Sequence, residues 1–247
     1  MARGHKNREH RHQEIAVETD RRTAIILGGL LIAAIVCGIF SSVLEIEEPD
    51  YLERLVAAES RILLAVLAQA MMAVFYVAIA AVTYPIVEAH NRVLGVAYLM
   101  LRTIGASFLF VGIVTLLLFL PLGRSFAETG GDGVATLEIL GHFLRLARDW
   151  LNHIGMVLPW SLGAVLLYLV FLRTSIVPLW LAAWGLAGSA LTLVATILYM
   201  MDLIAVVTTA YIMLNAPTAV FEIVLAVYLI AKGFRRPVSA QVSPALS

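Results

Sequence analysis

Apolar residues run in six long blocks separated by short polar stretches: 23–44, 62–86, 94–120, 151–172, 179–201, and a last block that begins between 205 and 216 and ends at Lys232. At ~1.5 Å per helical residue, each block can cross a hydrocarbon layer of ~30 Å. In lipid the backbone must satisfy its own hydrogen bonds, so each block is expected to be a helix. The first block is longer than the apolar core of a cleaved signal peptide and lacks a small-residue cleavage site, so it reads as a retained span. The pattern predicts an all-α, polytopic membrane protein with six transmembrane helices.

Two polar connections carry helical patterns of their own. After Pro49-Asp50, a helix-start signal, Tyr51, Leu52, Leu55 and Val56 recur at helical spacing and predict a short surface helix. From 134 to 150, Leu137, Leu140, Leu144, Ala147 and Leu151 share one face, while Glu138, His142, Arg145 and Asp149 share the other. That predicts an outer interfacial helix leading into span four. The stretch 123–133, GRSFAETGGDG, reads as a Gly-rich loop. The domain expectation is a polar cytoplasmic tail (1–22), a six-span domain (23–234) and a second cytoplasmic tail (235–247).

Composition agrees with the blocks. Of 247 residues, 61% are hydrophobic and 14% charged, against about 25% charged in soluble domains; the mean hydropathy is +0.92. The single cysteine, Cys37, lies in an apolar block and excludes an intramolecular disulfide. The formal net charge of zero hides an asymmetry. With the two termini on one side, 11 Lys/Arg fall there and 5 on the other. The positive-inside rule then makes both termini cytoplasmic, in the cell (inner) membrane.

Arg102 in span three and Glu222 in span six are the charges at depth. Each stands ten residues from the terminal-side end of its span, bounded by Arg92 and Lys232 respectively, so both lie ~15 Å from the same surface. A lone ion there is costly, and a hydrogen-bonded pair offsets most of that cost. The two are expected to meet, with spans three and six as neighbours; Ser161, at ~18 Å on span four, could join them.

A second polar cluster, His142, Arg145, Asp149, Asn152 and His153, lies at the outer mouth of span four. Asp149 and His153 have i, i+4 spacing, within reach of one ion. The favoured reading is a solvated stripe with Arg145 paired to Asp149, and no metal is assigned. His5, His10 and His12 belong to a solvated tail. The chain contains no HExxH, GxSxG, Walker loop or Cys pair. No cofactor is predicted, and basic residues spread over loops and tails give nucleic-acid binding no support.

Several stretches together resemble the domain of unknown function 4386 family of bacterial six-span membrane proteins. They are Tyr84-Pro85 running to His90-Asn91, Arg102, Asp149-Trp150, Val177-Pro178-Leu179-Trp180 with Trp184-Gly185, and Phe221-Glu222 running on to Leu229-Ile230-Ala231-Lys232-Gly233-Phe234. The resemblance covers roughly 22–234 and implies the six-span fold. This chain departs from the family pattern at Gly105, where members often carry a carboxylate, and at Arg148, where they often carry histidine.

Three functional expectations follow. The first is a binding or accessory protein in the lipid bilayer, its partner a lipid, pigment or quinone-like hydrophobic small molecule, or other membrane subunits. The second is a proton-coupled transporter using Arg102 and Glu222. The third is an intramembrane metalloenzyme at His142, Asp149 and His153.

Overall fold

The computed structural model describes residues 2–129, 133–206 and 208–235, with side chains from Arg21 onward. The helices, in chain order, are α1 (Ala2–Ser41), α2 (Tyr51–Arg54), α3 (Glu59–His90), α4 (Arg92–Glu128), α5 (Gly133–Trp150), α6 (Val157–Thr174), α7 (Leu179–Met200) and α8 (Thr209–Lys232). A 3₁₀ turn, Leu44–Ile46, precedes α2, and a π-helical segment, Leu151–Met156, joins α5 to α6. Six segments are long and apolar enough to cross a membrane: Arg21–Ile46, Glu59–His90, Arg92–Glu128, Gly133–Thr174, Leu179–Met200 and Thr209–Lys232. The histidines at 5, 10 and 12 and most of the second tail lie outside the described side chains. The backbone of α1 is helical from Ala2, where the sequence reads as a solvated tail.

Local chemistry sets the boundaries. Asn91 separates α3 from α4 and caps α4, its side-chain oxygen accepting from Val93 N at 2.9 Å and Leu94 N at 3.1 Å. Ser175, at φ 55°, ends α6 in the left-handed conformation, and Pro178 then opens α7. Gly233, at φ 75°, ends α8.

The six spans close into a ring. α1 packs on α3, α3 on α4, α4 on α6, α6 on α7, α7 on α8, and α8 returns to α1. Small residues bring the helices together, as expected where lipid supplies no hydrophobic drive. A Cβ on Gly28 would lie 2.8 Å from the carbonyl oxygen of Ala226, at the α1–α8 seam that closes the ring. One on Gly185 would lie 2.5 Å from the Phe221 ring, between α7 and α8. Tyr98, Leu167, Tyr168, Phe171 and Phe221 fill the main core.

On the side away from the termini, α3, α4 and α5 are gathered into a cap. At ~1.5 Å per residue the 37 residues of α4 reach about 55 Å, well beyond a bilayer core. Its last turns pack with α2, where Tyr51, Leu52, Leu55, Phe119 and Leu122 form a second core flanked by Leu137 and Leu144. This corrects the loop reading of 123–133 over 123–128, because α4 continues through Pro121 to Glu128; 130–132 lie outside the described residues. Contacts of Phe119, Leu122 and Gly123 with the α2 region hold the helix where proline alone would favour a break.

Candidate functional site

Two cavities lie within the ring among the described residues. The central one, about 20 Å³, is lined by side chains from α1, α3, α4, α6 and α8, among them Tyr76, Arg102, Trp160, Tyr168 and Glu222. Its volume suits a single water. Arg102 is 3% exposed. Its guanidinium carbon lies 4.5 Å from the Trp160 ring centre and 5.4 Å from that of Tyr98. Cation–π attraction is worth most in such desolvated settings. Tyr98 in turn bonds the hydroxyl of Thr83.

Arg102 and Glu222 place opposite charges on facing walls of this cavity, a buried pair held apart rather than in contact, and their helices are not neighbours. α4 and α8 stand on opposite sides of the ring, and each side chain reaches inward from its own wall. No direct ion pair joins them among the described residues, and Arg102 Nε has no hydrogen-bond partner. Ser161 is 0% exposed, with its hydroxyl unpartnered; it does not line this cavity. A glycine at 163 admits the Arg102 stem, since a Cβ there would sit 3.4 Å from its Cγ, Cδ and Nε.

The larger cavity, about 330 Å³, opens on the side away from the termini and is called the vestibule below. Its polar wall is Glu47, Gln69, Arg148, Asp149, Asn152 and His153. Met72, Leu109 and Met156 form an apolar floor. These three, with Ala73, Cys37 and Tyr76, make one packed layer. Tyr76 also lines the central cavity, so this layer lies between the two spaces.

The π segment shapes the wall. Pro159 has no N–H to return to the carbonyl four residues earlier, which favours a widened turn just before it. The Val157 N–H accordingly reaches Asn152 O, five residues back. Widened turns of this kind occur often at functional sites. Here the wide turn carries Asn152 and His153 into the ring. His153 Nδ1 lies 2.6 Å from the Tyr211 hydroxyl, tying span four to the start of α8, and its ring packs edge-on against Tyr199 and Tyr211.

Arg148 is 7% exposed. Its Nη1 lies 3.3 Å from Glu47 Oε1 and 3.9 Å from Asp149 Oδ1. Gln69 Nε2 donates to Leu109 O at 2.9 Å. Glycine at 112 makes room for both amides, since a Cβ would lie 2.7 Å from Gln69 Nε2 and 3.0 Å from Asn152 Oδ1.

The structure divides the outer cluster expected from the sequence. Asp149, Asn152 and His153 line the vestibule. His142 and Arg145 instead line a separate groove beside α2, with Tyr51 and Glu138. There Arg145 lies over the Tyr51 ring, 5.3 Å from its centre, in place of the expected pairing with Asp149. Burial raises the pKa of the Tyr51 phenol against the opposing pull of Arg145. His142 is exposed and faces away from Asp149 and His153, so the three do not converge. Among the described residues no three His, Cys, Asp or Glu groups could hold a metal ion, so the ligand set expected at His142, Asp149 and His153 is not assembled. Sequence reasoning missed Glu47, Gln69, Tyr199 and Tyr211 as site residues, and met Arg148 only as a departure from a family pattern.

Gly105, the other departure, sits where α4 meets α6. A Cβ there would lie 3.1 Å from Met156 O and 3.5 Å from Trp160 Cβ, so a carboxylate would have to displace α6.

No curated protein and no solved structure matches the chain. A family match extends over residues 26–233, almost the whole six-span ring with both cavities, and on that match the chain belongs to the family described as Domain of unknown function (DUF4386).

Proposed function

We propose that the protein binds a hydrophobic small molecule, with the molecule's polar head in the vestibule and its apolar part against Met72, Leu109 and Met156. The observation that carries this is a cavity of about 330 Å³ with a polar wall and an apolar floor inside a membrane-spanning ring. That size and mixed lining are typical of small-molecule sites. With both termini cytoplasmic, as the Lys/Arg distribution favours, the vestibule faces the outer side of the cell membrane. A lipid or quinone-like molecule then enters from the outer half of the bilayer. The role proposed is binding or accessory, resting on the polar wall and apolar floor of the vestibule.

The test is extraction and mass spectrometry of protein purified from its own membranes. A stoichiometric hydrophobic molecule is expected with the wild type and not with Ser41→Trp, which fills the vestibule rim. Equal recovery from both proteins, or none from either, overturns the proposal.

The shared cavity of Arg102 and Glu222 supports a second reading, a proton-coupled carrier. Glu222→Gln should then abolish pH-dependent flux in vesicles while the protein still inserts and folds. Unchanged flux ends that reading.

A further inference from the structure

Most polar groups of the vestibule already have partners. Glu47 holds Arg148, His153 bonds Tyr211, and Gln69 bonds the Leu109 carbonyl. The hydroxyls of Ser41 and Ser42 both donate to Gly38 O, at 2.8 and 3.3 Å. Two buried side-chain atoms on this wall have none: Arg148 Nε, a donor, and Asn152 Oδ1, an acceptor. A buried polar atom without a partner costs about 1–3 kcal/mol, so a ligand head group that reaches either atom, through a small shift of this wall, gains affinity.

Charge narrows the ligand further. The wall carries one guanidinium, Arg148, against two carboxylates, Glu47 and Asp149. The remaining titratable group, His153, is engaged by Tyr211. An anionic head, such as a carboxylate or phosphate, could accept from Arg148. It would meet two carboxylates, and a deprotonated head has nothing to donate to Asn152. An ammonium has donors only and leaves the Arg148 N–H unmet. A hydroxyl accepts from one and donates to the other.

From these two unpartnered atoms and this charge balance we infer that the vestibule selects an uncharged, hydroxyl-bearing head group on an apolar tail. The inference rests on the binding role proposed above. Specificity comes as much from repulsion of anions as from attraction of the hydroxyl.

The test uses the full chain in nanodiscs of zwitterionic phospholipid. Its unfolding midpoint is measured with a monoacylglycerol, the matching fatty acid and the matching alkylamine. The monoacylglycerol should raise the midpoint by on the order of 5 °C at saturation, and the two charged amphiphiles should leave it within error. Asn152→Leu should remove most of that shift. A fatty-acid or alkylamine shift equal to or larger than the monoacylglycerol shift overturns the head-group inference and leaves the binding role standing. A shift undiminished in Asn152→Leu also overturns the inference. No shift with any of the three counts against the binding role itself.

Discussion

Arg148 Nη1 lies 3.3 Å from Oε1 of Glu47, a residue 101 positions earlier in the chain. This contact joins the end of α5 to the turn after α1, and so holds the vestibule wall against the first span. Arg148 is nearly enclosed, so its guanidinium relies on Glu47, and more weakly on Asp149, for counter-charge. Glu47→Ala is expected to lower unfolding free energy by about 1–3 kcal/mol. Adding Arg148→Met should recover most of the loss. Thermal unfolding in detergent checks both, and a double variant no more stable than Glu47→Ala would show that the pair is not the cause.

The opposed charges of the central cavity make a parallel prediction. Arg102→Met leaves Glu222 without its counter-ion and should cost several kcal/mol. Arg102→Met with Glu222→Gln should be more stable than Arg102→Met alone, although the cation–π contacts with Tyr98 and Trp160 are still lost. Additive losses in the double variant would mean that the two charges do not sense each other across the ring.

Much of this architecture is legible from the pattern of apolar blocks, and some of it is not, for definable reasons. The blocks give the six spans because lipid accepts little else. They do not give the ring, because lipid-facing and helix-facing positions are both apolar. Depth counting brings Arg102 and Glu222 to the same level, and both line the central cavity. The neighbouring of spans three and six does not hold, and neither does direct contact, because the two side chains reach into one shared cavity from opposite sides of the ring. Arg148 is hard to recognise because its burial requires the turn after α1 to fold back over it. The signal available was an acidic stretch, Glu45 to Glu48, on the same side of the membrane as Arg148. The π segment also leaves a trace, in Asn152-His153 set six residues ahead of Pro159, a polar pair where an apolar helix would otherwise begin.

The seam that closes the ring is the most sensitive to size. Gly28→Leu would drive a side chain into the Ala226 carbonyl and Ile230. Overpacking of this kind costs about 1–3 kcal/mol. The variant should unfold at lower temperature, and a cysteine pair placed across α1 and α8 should cross-link less completely in it. Wild-type stability in Gly28→Leu would argue that α1 and α8 are not held this closely.

The bond between His153 and Tyr211 should be worth about 1 kcal/mol. His153→Phe and Tyr211→Phe keep the ring packing with Tyr199 and remove the bond, so each should cost about that amount. The double variant should cost little more than either single one. Strict additivity would contradict a shared hydrogen bond.

The most direct test of the central claim is a density map of the protein in nanodiscs made from its native lipids. Non-protein density is expected in the vestibule, with a polar end against Arg148 and Asn152 and an apolar end against Met72 and Met156. A vestibule closed by its own side chains, with Arg148 Nε and Asn152 Oδ1 bonded to protein atoms, would contradict it.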